Sequence, residues 1–417
     1  MTSIASIRDV PTPAAMDRPP LITRPLLLRF ASILGSSASF YLPLSVVPMY
    51  AKPVGGDAGA GLAAGALLLA TVAAELVTPR VVSRIGYRRA LAFGLLAMGL
   101  PALALLGPPR LTVIVGVSIV RGAGFAVVTV AGGALTASLI PAQRRGEGLA
   151  LTGVVSGVPA LACLPFGVWA AERWGFGLVF AATAAAALLA LAAIPGLPDH
   201  ERAAGPAEGG GQRPSGVLRA LRNPDLTRPA ALFSASTMAV GVLVTFLPLA
   251  VAGRTAAVAT AALFAQPAAS TLARLAAGRH GDRHGHARFL GLGVLLSAAG
   301  MASLAATGTP ALVIGGAAVF GAGFGLLQNS TLALMYARSA PSGYGAVSAI
   351  WNAAYDAGMG IGAIGMGLIT GHLGYPATFL LAAALVGTAL IPARQEHLKE
   401  REVPGATSTG IPSPFSA

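Results

Sequence analysis

The chain has 417 residues, of which 55% are hydrophobic and only 10% charged, and its mean hydropathy is +0.73. Soluble domains carry about a quarter charged residues, so this composition cannot cover a water-facing surface and excludes an ordinary soluble enzyme or binding module. The formal charge of +13 would admit a nucleic-acid partner, but no zinc-finger spacing or aromatic-basic surface accompanies it.

A polar leader with Asp17 and Pro19-Pro20 occupies residues 1–25. Apolar segments follow at 26–50, 58–78, 90–107, 111–139, 148–170, 174–194, 229–250, 256–277, 289–307, 310–335, 344–370 and 373–391. Most approach the ~20 residues that cross ~30 Å of hydrocarbon at ~1.5 Å per residue. The runs are too long and uniformly apolar for barrel strands, and a spanning segment must satisfy its own backbone hydrogen bonds, so twelve transmembrane helices are expected. The first segment lacks a small-residue cleavage site and is expected to be a retained helix. Residues 195–228, with Gly209-Gly210-Gly211 and several prolines, read as a linker between segments 26–194 and 229–392, and residues 393–417 read as a tail.

Charge placement orients the chain. All Lys and Arg residues except Lys52, Arg110, Arg121, Arg173, Arg254 and Arg274 fall in the leader, at the start of the first segment (Arg29, a flanking charge), in the tail, the linker or alternate loops on one side. By the positive-inside rule both termini are cytoplasmic, in a cell inner membrane or plasma membrane, and anionic lipid accounts for the basic charge without nucleic acid.

A fixed offset of 199 residues relates the halves. It pairs Arg84 with Arg283, Gly86 with Gly285, Gly122-Ala123-Gly124-Phe125 with Gly321-Ala322-Gly323-Phe324, Gly175 with Gly374, and Phe180 with Phe379. Constant spacing over several segments indicates duplication, hence an all-α polytopic protein of two six-helix bundles with pseudo-two-fold symmetry.

The loop Gly278-Arg279-His280-Gly281-Asp282-Arg283-His284-Gly285-His286-Ala287-Arg288 resembles the Gly-x-x-x-Asp-Arg-x-Gly-x-x-Arg signature of the major facilitator superfamily. The first-half copy keeps Arg84, Gly86, Arg88 and Arg89 but has Pro79 for the first Gly and Ser83 for the Asp. In that family the loop helps hold the outward-open state, so the resemblance implies gating roles for Asp282, Arg283, Arg84 and Gly86. Glu75, near the end of the second segment, is a further gating candidate or a simple end-placed acid.

Two charges stand in mid-segment. Arg121 lies in the fourth segment, where exposure to lipid is unfavourable by a few kcal/mol. Arg121-Gly122-Ala123-Gly124 loosely resembles the family's Arg-x-x-x-Gly motif, which implies proton coupling; a structural charge pair is the alternative. Asp356, near the middle of the eleventh segment, is a candidate for reversible protonation, a substrate contact or a polar pair. Trp351 and Tyr355 share its helix face, and with Gln328 and Asn329 of the tenth segment they either line a substrate cavity or fill the bundle.

Gly153, Gly157 and Pro159 of the fifth segment resemble a degenerate Gly-rich antiporter motif, and Gly358 and Gly362 repeat the small-residue pattern in the eleventh. These two helices are expected to contact across the interface between the halves. Cys163 is a single cysteine, and the histidines of the second basic loop lack acidic or cysteine companions, so neither metal nor cofactor is expected. No nucleotide-binding motif is present, so active transport would draw on a gradient.

The expected protein is a monomeric, proton-coupled exporter of a small organic molecule working by alternating access in a lipid bilayer. Importer or uniporter activity, and a transporter-like receptor without coupling, are the alternatives.

Overall fold

A computed structural model describes residues 20–141, 144–198, 221–251, 256–284, 287–339 and 344–402. Every regular element among them is helical: α1 Arg24–Tyr41, α2 Val46–Gly99, α3 Leu111–Leu139, α4 Arg145–Trp174, α5 Phe176–Ala190, α6 Pro224–Ala250, α7 Ala256–His284, α8 Arg288–Ser303, α9 Pro310–Ala337, α10 Tyr344–Thr388 and α11 Leu390–Glu402. Two 3-10 turns, Pro101–Leu106 and Leu191–Gly196, extend α2 and α5. The starts are capped as their sequences dictate. Thr23 accepts from the Leu26 N–H at 3.4 Å with Pro25 in the first turn, and Asn223 accepts from the Asp225 N–H at 3.0 Å ahead of Pro224.

Among the described residues seven helical runs are long and apolar enough to cross a membrane, and the run Arg24–Leu106 holds 83 residues. At ~1.5 Å per residue a straight helix of that length would measure about 125 Å, several times the hydrocarbon thickness. The chain breaks it at glycines. Gly56 (φ 61, ψ −160) and Gly86 (φ 81, ψ 166) interrupt α2, and Gly374 (φ 76, ψ 165) interrupts α10. These left-handed conformations penalise any residue with a Cβ, so a glycine makes a sharp break between helices without a loop.

The 199-residue repeat reappears as repeated packing. Gly122 leaves no room for a Cβ against the Leu67 carbonyl, and Gly321 none against that of Gln266, at the same offset. Gly124 meets the Gly94 carbonyl oxygen and Gly323 that of Gly293, again displaced by 199. Gly175 (φ 89, ψ 163) and Gly374 carry the same backbone break.

Side-chain contacts define two ends of the molecule. At the linker end Arg88 donates to the Pro195 carbonyl at 2.7 Å, and Arg338 pairs with Glu396 at 2.6 Å while donating to the Asp225 carbonyl. At the distal end Tyr50 donates to the Gly107 carbonyl at 2.6 Å and packs on Phe176. Two sequence boundaries move: α6 begins at Pro224, inside the stretch read as linker, and α11 runs to Glu402, inside the stretch read as tail. The reason at α11 is the buried Glu396, whose pairing with Arg338 ties polar residues of the last helix to α9.

Candidate functional site

α2 and α10 run antiparallel and close tightly near the distal end. A Cβ at Gly61 would collide with the Ala363 carbonyl, one at Gly65 with Ile364, and one at Gly367 would lie 2.9 Å from the Asp57 carbonyl oxygen. Leu69 still touches Gly360. Small residues here let backbones approach where side chains would hold them apart.

Glu75 and Asp356 follow immediately on the linker side of this seal, one from each sequence half. Both are half-buried, and Asp356 lies within electrostatic reach of Glu75, Tyr41 and Tyr355. Among the described residues neither carboxylate has a hydrogen-bond or ion-pair partner. Tyr355 also lies within reach of Arg274, an exposed cation in the interior of α7. Sequence reasoning placed Arg274 in a helix but gave it no role; it lies three residues before the end of the apolar segment 256–277, as its repeat counterpart Glu75 lies near the end of the second.

Arg121 does not join this group. It is only 2% exposed, and its guanidinium donates to the Met98 carbonyl at 3.0 Å and the Ser39 carbonyl at 2.5 Å. Ser39 lies four residues before Pro43, which has no N–H to return to it, and Met98 lies three before Pro101, where α-helix gives way to a 3-10 turn. Arg121 therefore satisfies backbone acceptors at two proline-broken helices. Arg29, read as flanking charge, is likewise buried, donating to the Gly132 carbonyl, Thr136 and Ser32 at 3.1–3.3 Å.

Trp351 and Tyr355 belong to an aromatic cluster. Trp351 stacks on buried Phe233 at 4.5 Å and donates from Nε1 to Thr331 at 3.3 Å, and Tyr355 packs on Phe233 and Phe324 at 6.0 and 6.2 Å. Both remain half-buried. Gln328 is half-buried, and the Asn329 amide nitrogen is enclosed with no partner among the described residues.

The expected contact between the fifth and eleventh segments does not form. A Cβ at Gly153 or Gly157 would meet nothing within 4 Å, whereas Gly358 and Gly362 of α10 press on Thr237 and Met238 of α6. The reason is enclosure: 78% of the most apolar window of α6 is surrounded by protein, against 28% for α4. α10 buries its glycine face on α2 and α6, and α4, containing Pro159 and Pro165, leaves space beside Gly153 and Gly157.

In the first basic loop Ser83 donates to the Arg80 carbonyl at 3.0 Å, Arg84 is exposed, and Gly86 provides the break between helices. In the second, Asp282 and Arg283 fall in the last turn of α7 with side chains outside the described set, and Gly285 lies outside the described residues. No metal-holding group of His, Cys, Asp and Glu occurs among the described residues.

The distal end carries a polar group that sequence reasoning passed over. Lys52 pairs with Asp57, donates to the Tyr375 hydroxyl at 2.8 Å and lies 5.1 Å from that ring's centroid. Tyr375 in turn donates to Asp57 at 2.7 Å.

A sequence profile described as Major Facilitator Superfamily matches residues 29–265 and again 236–415. No curated protein matches the chain. Solved structures similar to it include a mutant of the nucleoside transporter NupG, at 13% identity and TM-score 0.74, covering 89% of this chain and 99% of that one. A POT family transporter in complex with 5-aminolevulinic acid has 11% identity and TM-score 0.70, covering 90% and 96%. A peptide transporter POT mutant in complex with sulfate has 13% identity and TM-score 0.70, covering 90% and 94%. With the profile matching nearly the whole chain, over long apolar helices arranged as in these transporters, the chain belongs to the Major Facilitator Superfamily and is a multi-pass secondary transporter, not an enzyme.

Proposed function

We propose that this transporter exports a small organic molecule in exchange for protons, by alternating access between two six-helix bundles that together supply twelve spans. The breaks at Gly56, Gly86 and Gly374 support that count, because each divides a run too long for one crossing. Both termini then face the cytoplasm, and one chain suffices for the pathway. Asp282, Arg283, Arg84 and Gly86 serve as gating residues at the linker end.

One observation carries the coupling: Glu75 and Asp356, from opposite halves, stand half-buried within electrostatic reach of each other just beyond the α2–α10 seal, without a cation in contact among the described residues. Two like charges in a space of low dielectric repel, and binding a proton relieves that repulsion. Protonation from one side and release to the other would therefore alter how strongly the halves are held apart. Arg121, committed to two backbone carbonyls, supports α1 and α2 in this scheme and carries no proton.

The test is transport by purified protein in proteoliposomes under separately imposed pH and voltage gradients. Asp356→Asn should keep substrate exchange at saturating substrate, measured without a pH gradient, while gradient-driven transport falls at least about tenfold, a loss typical of removing a group that handles a proton. Undiminished pH-driven transport by this variant would reject Asp356 as the coupling group. Uptake into empty vesicles without proton movement would favour an importer or uniporter.

A further inference from the structure

The 199-residue offset exposes an asymmetry beside the proposed coupling site. It pairs Glu75 with Arg274 and Gly157 with Asp356. The pseudo-equivalent positions thus carry an acid, a cation, an acid and a glycine beside which nothing lies within 4 Å. Arg274 is exposed on α7 and has no hydrogen-bond or ion-pair partner among the described residues. Arg274 and Asp356 both lie within electrostatic reach of Tyr355, yet they do not pair with each other. Opposite charges kept apart in a spanning region are costly unless water or a ligand satisfies them.

We propose that a small zwitterion binds between the two halves here, its ammonium on Asp356 and Glu75 and its carboxylate on Arg274. The half-buried rings of Trp351 and Tyr355 offer an apolar wall between the two charges. Proton and substrate ammonium then compete for the same carboxylates, which is the exchange an antiporter needs. This substrate class rests on the transport reading above.

The test is binding to purified protein, by thermal shift and calorimetry, of a graded series of α,ω-amino acids around δ-aminovalerate, with pentylamine and valerate as single-charge controls. A zwitterion should bind at least about tenfold more tightly than either control, as losing one charge-assisted contact predicts. Arg274→Gln should erase its advantage over the amine, and Asp356→Asn its advantage over the acid. No binding by any member, or a zwitterion preference unchanged in Arg274→Gln, overturns the assignment. Proton-driven export of a singly charged or neutral compound would sink the zwitterion while leaving the transport reading standing.

A separate observation concerns the distal end. Among the described residues, the hydrogen bonds of Tyr375 to Lys52 and Asp57 are the only ones joining residues 20–198 to residues 221–402. Gly56 and Gly374 place Asp57 and Tyr375 at the first positions after two helix breaks. The repeat counterpart of Tyr375 is Phe176, which packs on Tyr50 and Phe180 of its own half and has no hydroxyl to share. The geometry points to Tyr375 as a reversible latch that holds the distal end shut, with Lys52 and Asp57 as its receiver. Lys52 is 35% exposed and Asp57 12%, so water can reach the group when the halves separate.

Spin-label distances between exposed positions test it: Val54 with Leu373 at the distal end, and Ser83 with Leu398 at the linker end, introduced as cysteines in a Cys163→Ser background. Tyr375→Phe should raise the open-to-closed ratio at the distal end about tenfold, with the linker end closing in step. Asp57→Asn should do the same, and exchanging Lys52 and Asp57 should restore the closed end. Unchanged distances in Tyr375→Phe and Asp57→Asn, in protein whose ends otherwise interconvert, overturn the latch. Ends that never interconvert in any variant overturn alternating access, and the latch with it.

Discussion

At the distal end α2 and α10 meet backbone to backbone through Gly61, Gly65, Gly360 and Gly367, whereas beside Gly153 and Gly157 of α4 there is open space. The same residue type serves opposite ends. In one place glycine removes bulk so that two helices can touch; in the other it removes bulk and leaves room. What separates the cases is the neighbouring helix, since α10 lies against α2 and α6 while much of α4 lacks enclosure. Polar groups follow the same division: the distal end spends its charges on one another, and Glu75, Asp356 and Arg274 remain unpaired among the described residues.

The strongest way to break this contrast is to put bulk into the closed end. Gly61→Val forces a side chain into the Ala363 carbonyl and should either lower stability by about 3 kcal/mol or drive the distal end open. Thermal unfolding in detergent together with the Val54–Leu373 distance separates the two results. A smaller loss is expected from Arg121→Ala, about 2 kcal/mol, because the Ser39 and Met98 carbonyls lose their donor in a dry interior. Arg121→Lys should recover part of it. A stable Arg121→Ala protein that binds substrate but no longer responds to a proton gradient would reverse the structural role given to this arginine. The smallest effect belongs to the open side: Gly157→Ala meets no neighbour, and its stability should stay within about 1 kcal/mol of the parent, with better helix propensity as the only expected gain.

Much of the architecture was legible. Apolar runs of spanning length and the 199-residue repeat both register as patterns along one dimension, and the repeat returns in the paired contacts of Gly122 with Leu67 and Gly321 with Gln266. The site was legible only in depth. Counting residues along a helix placed Arg121 and Asp356 both near mid-membrane, but a count carries no information about which neighbour each faces once helices tilt and break. Arg121 turned toward carbonyls released near Pro43 and Pro101, and Arg29 toward Gly132, because a buried guanidinium goes where acceptors are free.

The sequence by itself determined that this chain is a helical membrane protein of the facilitator type, since hydrocarbon tolerates only long apolar segments with internally satisfied backbones. Only the tertiary structure decided which charges are structural and which are left unpaired, which glycines touch and which leave space, and that Tyr375 reaches Lys52 and Asp57 across the two halves. Those outcomes depend on the rotation and crossing of packed helices, which are set by contacts among residues hundreds of positions apart.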